Sequence, residues 1–142
     1  MAKSTAKTTA KTTRTPVRKK TEARAQPAES PARHSALDIA QLALEKKALD
    51  VVVLDVRGLA SYAEYIVVMS AESEPQLNAI ADNIETKMKE RGERPYSIEG
   101  TRAGQWILMD FGDVVAHLFY KDTRDFYDIE GLWADAERTL VQ

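Results

Sequence analysis

Residues 105–120 read QWILMDFGDVVAHLFY, with large apolar side chains alternating on both sides of Gly112–Asp113. Alternation around a two-residue loop that opens with glycine predicts a β-hairpin closed by a type II′ turn. That turn sets the register. Phe111 faces Val114, Met109 faces Ala116 and Ile107 faces Leu118, and these six form the core face. The other face carries Trp106 beside Phe119, Leu108 beside His117 and Asp110 beside Val115. Either a C-terminal helix covers this second face, with Trp133 in the cover, or it is an apolar patch of the kind that binds a partner.

Working outward, Ser73, Pro75 and Gln76 form a capping-box pattern ahead of Leu77, Ile80, Ala81, Ile84 and Met88, and Gly92 closes the run. This is a helix with one apolar stripe. Val51–Val56 is nearly all β-branched, as in a strand buried on both faces, and Tyr65–Ser70 reads as a second strand. Ser35 with Asp38 predicts the start of an earlier helix that ends near Lys46 and Lys47. A short strand is expected over Tyr96–Glu99. Asp122–Leu140 becomes amphipathic through Phe126, Ile129, Leu132 and Trp133 and reads as one or two short helices. The expected fold is therefore α/β, with a mixed five-stranded sheet flanked by helices.

Charge divides the chain. Residues 1–34 carry nine Lys/Arg and two Glu, whereas residues 35–142 carry eleven Lys/Arg and twenty Asp/Glu. The first segment repeats AKST, AKTT, AKTT, contains Pro16, Pro27 and Pro31, and has almost no large apolar residues. Such a composition predicts a disordered basic tail before a folded domain at 35–142. Weak nonspecific RNA contact, targeting, docking on the acidic domain and plain solubilisation are its candidate roles. An acidic domain favours a basic protein surface over nucleic-acid phosphate.

Site chemistry narrows the field. The chain has no Cys, which excludes disulfides, thiolate metal sites and a thiol nucleophile. His117 is the single histidine of residues 35–142, and in a strand it reads as a half-buried, hydrogen-bonded residue rather than a base. Asp110 and Asp113 lie on opposite sides of the turn, Asp55 closes its strand alone, and Asp122, Asp125 and Asp128 fit a solvated helix face. No P-loop and no nucleophile elbow is present. No metal, cofactor or catalytic residue is expected. No membrane segment is expected either, because the run Val51–Leu54 is far short of the ~20 apolar residues that span a bilayer. The expected compartment is the cytoplasm.

VVVLDVRGL at 51–59, AIADNIE at 79–85, EG at 99–100, WILMDFGDVVAHLF at 106–119 and RDFYDIEGLW at 124–133 resemble, in order, the ribosomal silencing factor family, also called RsfS or Iojap-like. The resemblance covers nearly all of 35–138; Ser70–Ala71 stands where members often carry Ser-Gly or Thr-Gly. It implies a nucleotidyltransferase-like α/β fold without that activity. It also implies binding to the large ribosomal subunit at its universal protein fourteen, steric block of subunit joining and repression of translation. The partner-binding residues it implies are Trp106, Leu108, Asp110, His117, Arg124, Tyr127 and Glu130, with Trp133 also matching. Arg124 and Glu130 are equally able to pair with each other or to cap a helix. The alternatives are a nucleotide-binding or nucleotidyltransferase-like enzyme on the same scaffold, with Asp55 or Asp110 at its metal, and an RNA-binding module led by the tail. Monomer and homodimer both remain open.

Overall fold

The structure, a computed structural model, describes residues 30–100 and 105–142. Two units divide the chain, Met1–Ser30 and Pro31–Gln142, and every element below belongs to the second. The tail expectation therefore lies, up to residue 29, outside the described residues.

Helix α1 spans Pro31–Glu45. It begins four residues before Ser35, which corrects the expected cap. Proline suits a first helical turn, and Ala32 and Ala36 extend the buried stripe of Ile39, Ala40 and Ala43 backward. Ser35 instead donates its hydroxyl to Glu93 Oε1 at 2.8 Å. Strands β1 (Leu49–Asp55) and β2 (Tyr65–Ala71) follow as an antiparallel pair. Every residue of β2 is buried.

Helix α2 runs from Glu74 to Glu90. The Ser73 hydroxyl accepts from the Gln76 amide, and Gln76 Oε1 accepts in return from the Glu72 amide at 2.7 Å. At the other end Gly92 adopts φ +85°, while the Gly92 and Glu93 amides donate to the Lys89 and Met88 carbonyls. That pair of bonds is a Schellman ending, which needs a left-handed residue and so favours glycine.

Strands β3 (Ser97–Glu99), β4 (Trp106–Asp110) and β5 (Val114–Tyr120) come next. The β4–β5 hairpin has the register expected from the turn, from Trp106 opposite Phe119 to Asp110 opposite Val115. The Phe111 amide donates to the Val114 carbonyl at 2.9 Å, and Gly112 takes φ +92°. Helices α3 (Lys121–Tyr127) and α4 (Ile129–Leu132) cross back over the sheet, and the chain ends in β6 (Glu137–Leu140).

The sheet is mixed and has six strands, ordered β3-β4-β5-β2-β1-β6, with β2 and β5 parallel and the other pairs antiparallel. The expected count of five falls one short, and the residues read as the end of a helix form the sixth strand. β6 pairs with β1, Val52 opposite Leu140 and Asp55 opposite Glu137. Four residues hold too little periodicity to announce a strand, and the open edge of β1 supplies the ladder that selects one.

The two faces bury unequally. Helices α1 and α2 seal the first, where Ile39, Leu42, Val53, Val67, Met69, Ile84, Ile107 and Leu118 share one core. The second holds a smaller cluster of Val52, Leu54, Ile66, Val68 and Phe119, packed under Ile129, Trp133 and Ala136. Burial on both sides explains the unbroken valine run of β1.

Candidate functional site

The hairpin register delivers Trp106, Leu108 and Asp110 from β4, and Val115, His117 and Phe119 from β5, onto the second face. Phe119 is fully buried there, while Trp106 and Leu108 keep part of their surface open. The returning chain therefore covers part of this face and leaves part of it open. Phe119 lies in a stack under Trp106, with ring centroids 5.1 Å apart, and Tyr127 of α3 lies 4.5 Å from Trp106. Phe126 meets Tyr127 edge-on at 5.0 Å. Phe126 is 80% and Tyr127 47% exposed, so the stack opens outward from a buried floor to a wet aromatic rim.

Two acids, Asp122 and Asp125, sit exposed on the same short helix as Phe126 and Tyr127. Aromatic rings beside carboxylates suit a partner bearing Lys or Arg, by ion pairing and by cation–π contact. Further along the second face Tyr62 stands edge-on to Trp133 at 6.3 Å, and Leu132 is 71% exposed.

His117 is 8% exposed and accepts the Trp106 indole N–H on Nδ1 at 3.2 Å. Burial lowers its pKa from 6.5 to about 4, so the ring is neutral at ordinary pH. Asp110 uses Oδ1 to accept the Gly112 amide at 2.8 Å, which braces the hairpin turn.

Arg124 is buried, and each of its three guanidinium nitrogens donates a hydrogen bond. Its Nε and Nη2 form a fork on Glu130, at 3.0 and 2.9 Å. Its Nη1 donates to the Asp50 carbonyl at 2.7 Å and to Ser70 Oγ at 2.9 Å. The hydrogen bond from Arg124 holds the Glu130 carboxyl below its usual range, with Arg138 adding to the effect. The clasp ties α3 and α4 to the ends of β1 and β2. It reads the backbone at Asp50, where β1 changes register and φ turns to +47°. The pairing left open in the sequence is present.

The sequence expectation over Asp122–Leu140 is one or two short helices, amphipathic through Phe126, Ile129, Leu132 and Trp133. The structure has two, α3 and α4, divided at Asp128, which takes φ +47° and caps α4 through the Gly131 amide at 3.1 Å. The break shifts the helical phase and turns Phe126 and Leu132 outward. Asp128 and Gly131 were the signal available: a side-chain cap with a glycine three residues on, where a Cβ would press on the Asp128 carboxylate. Tyr62 lies in a loop of small residues with no such signal.

The two carboxylates that a nucleotide–metal site would have needed are each engaged nearby. Asp55 forms a two-pronged pair with Arg57, at 3.0 and 2.7 Å, and Asp110 braces its turn. Among the described residues no group of three or more His, Asp or Glu is placed to hold a metal. What the second face offers is an aromatic, acid-fringed surface on an α/β scaffold, the equipment of a binding domain.

Comparison with known proteins gives that class its family. The family model described as ribosomal silencing factor during starvation matches residues 27–142. The ribosomal silencing factor RsfS of Bacillus subtilis (strain 168) is 40% identical over 103 residues, covering 72% of this chain and 87% of that protein. The chloroplastic protein Iojap of Zea mays is 36% identical over 104 residues, 71% of this chain and 44% of that one. The crystal structure of a Chromobacterium violaceum protein superposes with a TM-score of 0.72 at 30% identity, covering 80% of this chain and 94% of that one. The chain belongs to the ribosomal silencing factor family, and so to the ribosome-associated regulators of translation.

Proposed function

We propose that the protein silences translation by occupying the large ribosomal subunit, through its universal protein fourteen, and excluding the small subunit by bulk. The observation that carries this is the half-open stack of Trp106, Tyr127 and Phe126, fringed by Asp122 and Asp125 on an acidic domain. Of the residues implied by resemblance, Trp106, Leu108 and Tyr127 have open surface and are proposed as contacts. Asp110, Arg124 and Glu130 hold the turn and the α3–α4 corner that present them. The scaffold is read as nucleotidyltransferase-like but put to steric use, so no reaction and no cofactor is invoked. Among the described residues no helix is long and apolar enough to cross a membrane, and the cytoplasm is the proposed compartment.

The test is subunit joining on a sucrose gradient with the full chain added to purified subunits. Free subunits should accumulate as protein is added, and Trp106→Ala should restore joining. Normal joining at saturating wild-type protein would refute the proposal. Residues 1–29, rich in Lys and Arg, are proposed to add weak contact with ribosomal RNA. Their deletion should flatten the salt dependence of binding without abolishing it.

A further inference from the structure

An anchor tryptophan on a strand has several rotamers, and docking has to freeze one of them. Phe119 beneath and Tyr127 beside Trp106 limit its ring, but stacking contacts tolerate sliding and rotation. One contact is directional. The indole N–H reaches diagonally across the ladder to His117 Nδ1 at 3.2 Å. His117 stands opposite Leu108 on β4 and level with Val68 on β2.

A histidine is an expensive filler for that position. Valine or leucine would occupy the space without desolvating a polar ring, and burial is the cause that lowers the pKa of His117. The burial is offset by a hydrogen bond that needs a lone pair on Nδ1, and therefore a neutral ring with its proton on Nε2. We propose that His117 is a positioning residue for docking: it locks the Trp106 indole in the orientation that meets the partner, and it does not touch the partner itself. This rests on the docking reading above.

Geometry specifies which replacements work. Nδ1 lies two bonds from Cβ, and the Oδ1 of asparagine lies at the same place. His117→Asn therefore keeps an acceptor for the indole, while His117→Leu keeps burial and removes the acceptor. The full chain, labelled with 15N, reports the Trp106 indole N–H directly, with Trp133→Phe assigning the second indole. In His117→Leu the Trp106 resonance should shift and its hydrogen should exchange faster. Affinity for large subunits should fall about tenfold. His117→Asn should stay within about threefold of wild type.

Wild-type acid titration gives the same readout without a variant, since protonated His117 has no lone pair for the indole. Trp106, Leu108, Phe119 and Val68 around His117 carry no charge, and the Asp110 carboxylate stands on the same face, diagonal to it across the ladder. The other titratable ring in the stack is the Tyr127 phenol. The acid shift is therefore read against His117→Leu, in which it should vanish. The indole resonance should move with a midpoint near 4. An indole resonance unmoved by both His117→Leu and acid overturns the proposal, whatever the binding result. Wild-type affinity in a folded His117→Leu variant, or equal losses in the Leu and Asn variants, also overturns it. Failure of the wild-type protein to bind large subunits would instead refute the docking reading, and the indole measurement would still decide whether His117 holds Trp106.

Discussion

Arg124→Met keeps an unbranched aliphatic stem and deletes every hydrogen bond of the α3–α4 clasp. Removing one partner of a buried ion pair costs about 3–5 kcal/mol. The Glu130 side chain is 18% exposed and retains Arg138 at 3.1 Å, which puts that part at the lower end. The Asp50 carbonyl and the Ser70 hydroxyl also lose their donor. Ser70 is buried but its hydroxyl can rotate to another partner, so the two together add about 1 kcal/mol. The expected destabilisation is about 4 kcal/mol. Glu130→Gln leaves Arg124 a neutral acceptor and its two other bonds, and should cost about 1–2 kcal/mol. Urea denaturation followed by circular dichroism reads both as a fall in midpoint at constant m-value. A loss below about 1 kcal/mol in Arg124→Met would show that the clasp is replaceable by water, and would refute its assignment as the tie between the corner and the sheet.

His117 also makes stability depend on pH. Its folded pKa lies below its unfolded value of 6.5, so the unfolded chain binds the proton first and the contribution is complete above pH 6.5. That stability is lost as pH falls through the window from 6.5 to about 4, by at most about 3 kcal/mol, and His117→Leu should flatten the decline in a pH series of urea midpoints. Gly131→Ala would push a methyl into the Asp128 carboxylate that caps α4; thermal melts should show a loss of about 1–2 kcal/mol, and an unchanged melt would count against the cap. Trp106→Ala should weaken large-subunit binding by about 2 kcal/mol in a protein that still melts cooperatively. Wild-type affinity in a sedimentation assay would remove Trp106 from the contact surface.

The hairpin and α2 were legible because their information is local. A glycine in a two-residue loop fixes which residues oppose across β4 and β5, and a cap plus one apolar stripe fixes α2, all within a few residues along the chain. The family, too, was carried by motifs that stand in the sequence alone. The α1 start failed because Pro31 and Ala32 sit in a stretch whose composition resembles the tail, and only packing of Ala32 against the core separates them.

Tertiary structure decided the rest. β6 is a strand because β1 offers an unpaired edge, a fact about a partner more than eighty residues earlier in the chain. Arg124 is a buried tie because Asp50 and Ser70, 74 and 54 residues away, arrive at its guanidinium. The second face divides into floor and rim because Asp128 breaks the helical phase and turns Phe126 outward while Tyr127 settles on Trp106. Periodicity records which side of an element is apolar. It does not record how much of that side the returning chain will cover, since coverage is set by contacts between segments that the sequence keeps far apart.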